Sequence, residues 1–167
     1  MAATDDGFRE FVESRYGELV RIAYALTGSP HDAEDLVQAA LVKTMGRWRR
    51  IDDPMAYLRR AMVNQHINRW RRVSQREVVS DQPPERPTAD TADRVAEREA
   101  LHAALRSLPR RTRAVVVLRY VADLTEADVA ATLGLPVGTV KSHASRGLAR
   151  LRLALADGEL TMVEGKR

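Results

Sequence analysis

Residues 124–152 contain two short helical patterns separated by a glycine-centred turn, and the second pattern is basic. Thr125 is placed to cap the first helix, with Asp128 three residues further on. Gly134 is the residue type that ends a helix in the left-handed conformation, and Pro136 then starts the next segment. This punctuation constrains the segment to a tight pair of helices, as in a helix-turn-helix.

The second helix of this pair is predicted to have one buried face and one face for a polyanion. Val140, Leu148 and Leu151 recur at helical spacing and are expected in a core. The other positions carry hydroxyl or basic groups: Thr139, Lys141, Ser142, Ser145, Arg146 and Arg150. We therefore predict that this helix lies in a DNA major groove. The alternative is an ordinary αα-hairpin whose basic face is only solvated.

The composition favours an anionic partner and excludes several kinds of site. The net charge is +4, and 24 of the 27 basic residues are arginine, although a GC-rich genome would give the same bias. The chain has no cysteine, which excludes disulfides and thiolate metal sites, and no apolar run approaches the length of a membrane span. The four histidines, at positions 31, 66, 102 and 143, are expected at surface or cap positions. We expect a cytoplasmic, nucleoid-associated protein with no cofactor, metal or membrane contact.

Charge is distributed along the chain in blocks. Residues 1–42 carry eight acids against three arginines, whereas residues 43–76 carry ten basic residues against two acids. Residues 77–94 hold five acids, two arginines and three prolines without helical or strand periodicity, which is typical of an extended linker. We predict a domain over 1–75, an acidic linker over 76–94, a second domain over 95–156 and a tail over 157–167.

Helical periodicity predicts the elements of both domains. In the N-terminal domain, apolar spacing from Phe8 to Leu26 predicts a first helix that Thr4 caps and Gly28 stops. Ser29 and Pro30 begin a second helix that continues through Met45, and a third begins at Asp53-Pro54 and carries the apolar positions from Tyr57 to Trp70. In the C-terminal domain, one helix ends at Leu108 and another runs to about Val121, ahead of the helix-turn-helix pair. No strand pattern appears, so the predicted fold class is all-α: two small helical domains joined by a flexible acidic linker.

The second predicted helix carries a candidate protein-docking surface. Asp35 and Gln38 lie three residues apart, which places an acid and an amide on one flank beside the apolar Leu41. A ridge that is partly polar and partly apolar suits a protein partner. The alternative is an ordinary amphipathic helix.

The segment that follows is rich in arginine, tryptophan and asparagine, which is typical of a surface for melted or single-stranded nucleic acid. Arginines bind phosphates, aromatic faces stack on bases and amides read base edges. The candidate residues are Trp48, Arg49, Arg50, Arg59, Arg60, Asn64, Asn68, Arg69, Arg71 and Arg72. Alternatively, Tyr57 and one or both tryptophans belong to the core, and the arginines form a solvated rim.

Four segments in fixed order resemble the extracytoplasmic-function sigma factors of the bacterial sigma-70 family, in their actinobacterial branch. They are DAEDLVQ, AYLRRAMVNQHINRWRR, LRSLPRRTRAVVVLRY and LTEADVAATLGLPVGTVKSHASRGLARLR, and the resemblance covers residues 8–155. It implies a factor that binds core RNA polymerase and recognises and helps to melt a promoter. A tether of about 20 residues extends to about 65–70 Å, which spans the about 58 Å between promoter elements about 17 base pairs apart.

The resemblance also implies roles for individual residues. Asp35, Gln38 and Leu41 would grip the clamp helices of the largest polymerase subunit, and the C-terminal domain would meet the beta flap. Residues 48–54 would capture a flipped base of the minus-ten element, with Asn64 and Asn68 in recognition and melting. Contacts to the minus-35 element would come from the following residues: Arg111, Arg113, Thr139, Lys141, Ser142, Ser145 and Arg146. His143 and Ala144 depart from the arginine and larger apolar residue that the family often has. An anti-sigma factor is a further implied partner.

Two other functions remain open from the residues alone. One is a stand-alone helix-turn-helix regulator whose N-terminal half dimerises, and the other is an RNA-binding protein that uses the Arg-Trp segment. An enzyme is not expected, because the sequence lacks a nucleophile–base pair, a Gly-rich phosphate loop and paired carboxylates in a plausible cleft. In the sigma-factor interpretation, polymerase supplies the catalysis.

Overall fold

Seven α-helices make up most of the residues that the computed structural model describes, which are 2–73 and 89–164, with side chains over 6–69 and 92–157. The N-terminal domain holds α1 (Ala2–Thr27), α2 (Pro30–Met45), a 3₁₀ turn (Trp48–Arg50) and α3 (Pro54–Val73). The C-terminal domain holds α4 (Ala89–Ser107), α5 (Arg110–Val116), a π-helical turn (Val117–Val121), α6 (Glu126–Leu133) and α7 (Val137–Glu164). These ranges contain no strand, and the predicted all-α class is confirmed.

Local capping sets the boundary between α1 and α2. Gly28 adopts φ +71°, and its N–H donates to the Tyr24 carbonyl at 2.8 Å, which closes the end of α1. The Ser29 hydroxyl then accepts from the Asp32 N–H at 3.3 Å, and Pro30 occupies the first turn of α2. The two helices therefore reverse direction over two residues and pack against each other.

The helix-turn-helix forms as its sequence predicts. The Thr125 hydroxyl accepts from the Asp128 N–H at 3.1 Å at the start of α6, and Gly134 ends that helix at φ +64°. The Pro136 carbonyl accepts from the Thr139 and Val140 N–H groups in the first turn of α7. A short, fully capped α6 is thus set against a long α7.

Each domain has a core of aliphatic side chains. The N-terminal core is formed by α1, α2 and α3, and its fully buried large residues are Leu19, Ile22, Leu26, Leu36, Val37, Leu58, Met62 and Val63. In the C-terminal domain the corresponding residues are Val115, Val117, Leu118 and Val129. Gly147 lets α7 cross α5 closely, because a Cβ added there would lie 2.5 Å from Val116 Cγ2. This crossing fixes α7 relative to the rest of its domain.

The helices extend beyond the predicted domain limits. Most of the predicted linker falls on residues 74–88, which lie outside the described residues. The helix α4 already begins at Ala89, and α7 continues to Glu164. Ala89 lies within the segment predicted as a linker without helical periodicity, and Glu164 lies within the predicted tail. Asp90 and Asp93 are acids near the start of α4, where the helix dipole favours negative charge. Within the described ranges, no helix is long and apolar enough to cross a membrane.

The two domains pack directly against each other. α1 contacts α4 and the π-helical turn, and α3 contacts α5 and α6. The rings of Tyr24 in α1 and His102 in α4 have centroids 3.8 Å apart. The expectation that all histidines lie at surface or cap positions is wrong: His66, His102 and His143 are partly buried against neighbouring helices, and His31 alone is exposed.

Candidate nucleic-acid and polymerase interfaces

A basic cleft of about 720 Å³ lies on the N-terminal domain, where the last turn of α2 meets α3. Its walls carry three cations, three amides and a tyrosine ring, and no acid. The lining residues are Lys43, Tyr57, Arg60, Ala61, Asn64, Gln65, Asn68 and Arg69. Four of the residues predicted for melted DNA are therefore brought together: Arg60, Asn64, Asn68 and Arg69. We call this space the amide cleft.

Lys43 and Gln65 belong to the amide cleft but were not predicted from the sequence. Lys43 comes from the end of α2, on the opposite wall from the residues of α3. The buried Oε1 atom of Gln65 has no hydrogen-bond partner among the described residues. A buried amide oxygen without a partner is costly unless a ligand or water donates to it. Two sequence signals could have identified these residues: Gln65 follows Asn64 directly, and Lys43 is the basic residue of the last turn of α2.

A second cleft, of about 570 Å³, lies between the N-terminal domain and the helix-turn-helix. One wall comes from the 3₁₀ turn and α3, and the other wall is α6. The lining residues are Arg47, Arg50, Ile51, Asp52, Asp53, Ala56, Tyr57, Arg60, Ala131 and Thr132. The segment predicted to capture a flipped base therefore faces the first helix of the helix-turn-helix. We call this space the interdomain cleft.

The aromatic residues divide between structural and surface positions. The Trp48 ring packs against Phe8 and Phe11 of α1, with centroid distances of 5.3 and 5.2 Å, so this tryptophan anchors the 3₁₀ turn. Tyr57, by contrast, is only partly buried and lines both clefts. The side chain of Trp70 lies outside the described residues. Of the aromatic residues described, Tyr57 is the one that faces both clefts.

The predicted arginines also differ in their surroundings. Arg49 and Arg50 are exposed, and Arg50 lines the interdomain cleft. Arg59 is paired inside its domain, because its Nη2 lies 3.0 Å from Glu18 Oε1 and its side chain is only 16% exposed. The structure therefore places Arg59 with α1 and not in either cleft. The side chains of Arg71 and Arg72 lie outside the described residues.

The exposed face of α2 carries two of the three predicted docking residues. Asp35 and Gln38 are exposed, and Asp35 Oδ2 lies 3.6 Å from His31 Nε2. The prediction that Leu41 belongs to the docking surface is wrong, because Leu41 is 7% exposed and belongs to the core. The apolar part of this face comes from Val42 and Met45, which are 64% and 55% exposed. Val42 and Met45 lie four and seven residues after Gln38, on the same side of α2. The helical spacing therefore contained this apolar flank, but the sequence prediction assigned Leu41 to it instead.

The recognition helix α7 presents its predicted polar residues at the surface. Lys141, Ser142, Ser145 and Arg146 are exposed, and Thr139 is partly exposed. Lys141 Nζ lies 3.7 Å from Glu126 Oε2 across the helix-turn-helix. Lys141 is thereby held beside the start of α6.

The two residues that depart from the usual family pattern both turn toward the body of the domain. His143 Nδ1 shares a hydrogen bond of 3.0 Å with the buried Thr112 hydroxyl of α5. Burial lowers the pKa of His143, and Arg146 and Arg111 lower it further. Ala144 is 5% exposed, so its small side chain lies in the core.

The two arginines predicted as phosphate clamps have different environments. Arg111 is exposed on α5, as that role requires. Arg113 is 9% exposed, and its guanidinium donates to the carbonyls of Leu26, Arg106 and Leu108 at 2.8–3.1 Å. Burial lowers the pKa of Arg113 to about 10, and the neighbouring Arg110 and Arg106 add to this effect. The expectation for Arg113 is corrected for this arrangement of the domains, because its donors are occupied by backbone oxygens.

Comparison with known proteins gives one consistent family. Residues 11–76 match the family model described as Sigma-70 region 2, and residues 98–151 match the one described as Sigma-70, region 4. The RNA polymerase sigma-E factor of Streptomyces coelicolor is 42% identical over 156 residues, which cover 92% of this chain and 88% of the relative. The ECF RNA polymerase sigma factor SigE of Mycolicibacterium smegmatis is 33% identical over 88% of this chain and 61% of the relative.

Solved structures agree with the sequence relatives. The sigma factor RpoE of Bartonella quintana, solved with the anti-sigma factor NepR, matches 90% of this chain and 97% of its own with a TM-score of 0.68 and 26% identity. CnrH, solved with the cytosolic domain of CnrY, shares the fold with a TM-score of 0.65 at 23% identity. Both family models, in the order found here, together with these relatives define the family. The chain therefore belongs to the sigma-70 family, as an extracytoplasmic-function RNA polymerase sigma factor similar to those of actinobacteria.

Proposed function

We propose that this sigma factor divides promoter recognition between its domains, with the amide cleft receiving melted minus-ten DNA and α7 reading duplex DNA at minus-35. The observation that carries this proposal is the contrast between the two basic surfaces. One is a concave space with amides and an aromatic ring, and the other is a convex helix with exposed hydroxyl and basic side chains. A concave site accepts single bases, whereas a convex helix fits a major groove.

The amide cleft has the chemistry that an unstacked nucleotide requires. Lys43, Arg60 and Arg69 supply positive charge without a neighbouring acid in the lining, and Tyr57 supplies a flat face. Asn64 and Asn68 are exposed at the cleft and can donate and accept at base edges. Double-stranded DNA cannot present single bases to a space of this kind, so its use requires melting.

The α2 face supports a separate role in holding core polymerase. It combines the exposed Asp35 and Gln38 with two exposed apolar side chains, Val42 and Met45. An exposed apolar pair beside charged and amide groups is the composition of a protein-binding surface. This face is separate from both clefts. It would bind the clamp helices of the largest polymerase subunit, and the C-terminal domain would contact the beta flap.

The remaining parts of the proposal concern setting and partners. The factor would act in the cytoplasm at the nucleoid, where polymerase and promoter DNA are found. It would catalyse no reaction itself, because RNA synthesis belongs to polymerase. An anti-sigma factor is proposed as a regulator, in line with the complex in which the RpoE relative was solved. The alternative of a stand-alone regulator is not favoured, because both sigma regions are present.

Run-off transcription from linear promoter DNA tests the proposal. Core polymerase with this chain should give a promoter-dependent transcript, and core alone should not. Combined Lys141→Ala and Arg146→Ala substitution should remove dependence on the minus-35 sequence, whereas Arg152→Ala, which removes another exposed arginine of α7, should not. No transcript on any candidate promoter, together with no co-purification with core, would refute the proposal.

Two further variants separate melting from polymerase binding. Asn64→Ala with Asn68→Ala should reduce transcription from duplex promoters but not from templates whose minus-ten element is already unpaired. Val42→Asp should weaken binding to core, because it places a charge on an apolar contact. It should therefore reduce transcription from both templates. Glu34→Ala, at another exposed position of α2, is the matched control. If the Asn pair also abolished core binding, the proposed division of roles would be wrong.

A further inference from the structure

His143 lies on the flank of the recognition helix that carries two of the proposed minus-35 residues. Thr139, His143 and Arg146 are spaced by four and by three residues, so their side chains share one side of α7. Arg146 is exposed, whereas Thr139 and His143 are partly exposed. The imidazole therefore belongs to a flank proposed to face DNA, although one edge of its ring contacts the body of the domain.

A hydrogen bond to α5 orients this ring. His143 Nδ1 lies 3.0 Å from the hydroxyl of Thr112, which has no other side-chain partner among the described residues. A hydroxyl can donate or accept, so Thr112 can donate to the neutral ring and accept from the protonated ring. When Thr112 donates, the neutral imidazole carries its proton on Nε2, at the opposite edge of the ring.

The Nε2 atom of His143 is the edge of the ring that a ligand can reach. In the described part of the chain it has no hydrogen-bond partner, and it is not buried, in contrast to Nε2 of His66. It carries a proton both in the Thr112-bonded neutral ring and in the charged ring. His143 therefore presents an N–H donor at the surface in either protonation state.

Two guanidinium groups lie beside this donor. The charged groups that face the ring are Arg146 of α7 and Arg111 of α5, and both arginines are exposed. Burial lowers the pKa of His143, and these two cations lower it further, so the ring of the free chain is neutral near neutral pH. An N–H donor between two guanidinium groups from different helices is the composition of a phosphate site.

We propose that His143, Arg111 and Arg146 together bind the phosphate backbone of the minus-35 duplex, and that Thr112 is the residue that positions the imidazole. This inference rests on the proposed function of α7. Phosphate contacts fix the register of a protein on duplex DNA without reading its bases. His143 would therefore hold α7 in the groove while its exposed neighbours read the sequence.

The contact couples DNA binding to protonation of His143. A nearby phosphate raises the pKa of an imidazole, whereas Arg146 and Arg111 lower it in the free chain. Between these two pKa values the complex holds one more proton than the free chain. The affinity for DNA therefore rises as the pH falls through this range. At higher pH the neutral ring still donates from Nε2 but adds no charge to the interface.

The affinity of the holoenzyme for minus-35 duplex DNA tests this coupling. His143→Gln retains an amide donor but cannot be protonated, and the affinity ratio of parent to variant cancels the pH and salt dependence of core polymerase. We expect this ratio to rise several-fold between about pH 8 and about pH 6, with a limit of about tenfold per unit of difference between the two pKa values. The salt dependence of the parent should become steeper at the lower pH by up to about 0.9 in log–log slope, because one charge is added.

Matched variants separate this role from a structural one. His143→Arg carries a permanent charge, so its ratio to His143→Gln should not depend on pH. His31→Gln removes an exposed histidine from α2 and should keep the pH dependence of the parent. Thr112→Val should lose that dependence, whereas Thr112→Ser, which retains the hydroxyl, should keep it. Circular dichroism at both pH values establishes that each variant is folded.

Nuclear magnetic resonance measures the titration of the ring directly in the full chain. The imidazole signal of His143 is the one that His143→Gln removes. Its pKa should be higher with minus-35 duplex DNA present than without it. An equal pKa in the two titrations would show that no phosphate lies near the ring, and would overturn the inference.

The binding outcomes distinguish failure of this inference from failure of the proposed function. A constant ratio of parent to His143→Gln, with equal salt slopes, would leave the bond to Thr112 as a structural contact only. A changed base preference in His143→Gln with an unchanged salt slope would mean that the ring reads a base, and the phosphate assignment would be wrong. If the holoenzyme does not prefer minus-35 duplex to a scrambled duplex, the proposed function of α7 fails. The same ratio on the scrambled duplex still decides whether His143 binds phosphate.

Discussion

Gly147→Ala provides a sensitive test of how the recognition helix is held in its domain. Alanine is the better helix former by about 1 kcal/mol, so an exposed glycine at this position would gain stability from the change. At Gly147, however, the new Cβ would lie 2.5 Å from Val116 Cγ2 and 3.0 Å from Thr112 Cγ2. Both neighbours are buried and β-branched, so neither can turn away freely.

Overpacking of a well-packed core costs about 1–3 kcal/mol, and a contact this short belongs at the upper end of that range. After subtraction of the gain in helix propensity, we expect Gly147→Ala to destabilise the chain by about 2 kcal/mol. If the chain unfolds as one unit, its Tm should fall by about 4–8 °C. The displaced α7 should also bind minus-35 DNA more weakly, because its exposed residues would no longer be aligned.

Urea unfolding followed by circular dichroism measures this effect, with Gly17→Ala as the matched control. Gly17 lies inside α1, is exposed and has no atom within 4 Å of its would-be Cβ. The control should gain about 0.5–1 kcal/mol from helix propensity alone. The two variants should thus have opposite signs. A Gly147→Ala protein as stable as the parent, with an unchanged urea dependence, would refute the close crossing of α7 and α5.

Three further predictions follow from other contacts. Trp48→Ala should cost about 2 kcal/mol of stability without DNA, less than the about 3–5 kcal/mol of a fully buried tryptophan, and Trp48→Phe should retain most of it; equal stability of all three proteins in urea would contradict packing of the ring against α1. Gly28→Ala should cost about 1–2 kcal/mol for its left-handed backbone, and its new Cβ would lie 2.7 Å from Arg106 Cδ; a free energy of unfolding in urea equal to that of the parent would contradict this end of α1. Burial lowers the pKa of His66 from 6.5 to about 4, and the nearby Arg110 lowers it further. As the pH falls from 6.5 toward 4, the unfolded chain binds a proton at this residue and the folded chain does not, so the free energy of unfolding decreases over this range. Urea titrations at several pH values should show a smaller loss for His66→Gln, and parallel curves would contradict this assignment.

Local signals in the sequence were enough to predict the helix-turn-helix and the residues that cap it, but not the start of α4 or the end of α7. Thr125, Gly134 and Pro136 act through contacts within four residues, so their pattern in the sequence is enough to specify the ends of α6 and the start of α7. To assign residues to the exposed face of α2, it is also necessary to know how α2 packs in the fold. Leu41 looked equivalent to its neighbours, but burial depends on which side of the helix meets α1 and α3.

Contacts between the domains could not be predicted in this way. Arg113 lies 87 residues from Leu26 in the sequence, and its acceptor is a carbonyl that every residue possesses. The resemblance to a phosphate clamp pointed to a surface position, whereas domain packing places the guanidinium inside. The amide cleft was predicted in part, since Asn64, Asn68 and the arginines share one helix. Lys43 joins them from α2, which only the packing of α2 on α3 reveals.

The acceptors of the Arg113 guanidinium are main-chain oxygens, and this has a consequence for how the contact between the domains is inherited. A substitution at Leu26 changes its side chain but leaves its carbonyl in place as long as α1 ends at the same residue. Paired changes in the two domains are therefore not needed to preserve the contact, and covariation between the domains would not reveal it. The side chain that this contact requires is Arg113 of α5, so the side chain at position 26 can change while the hydrogen bond persists.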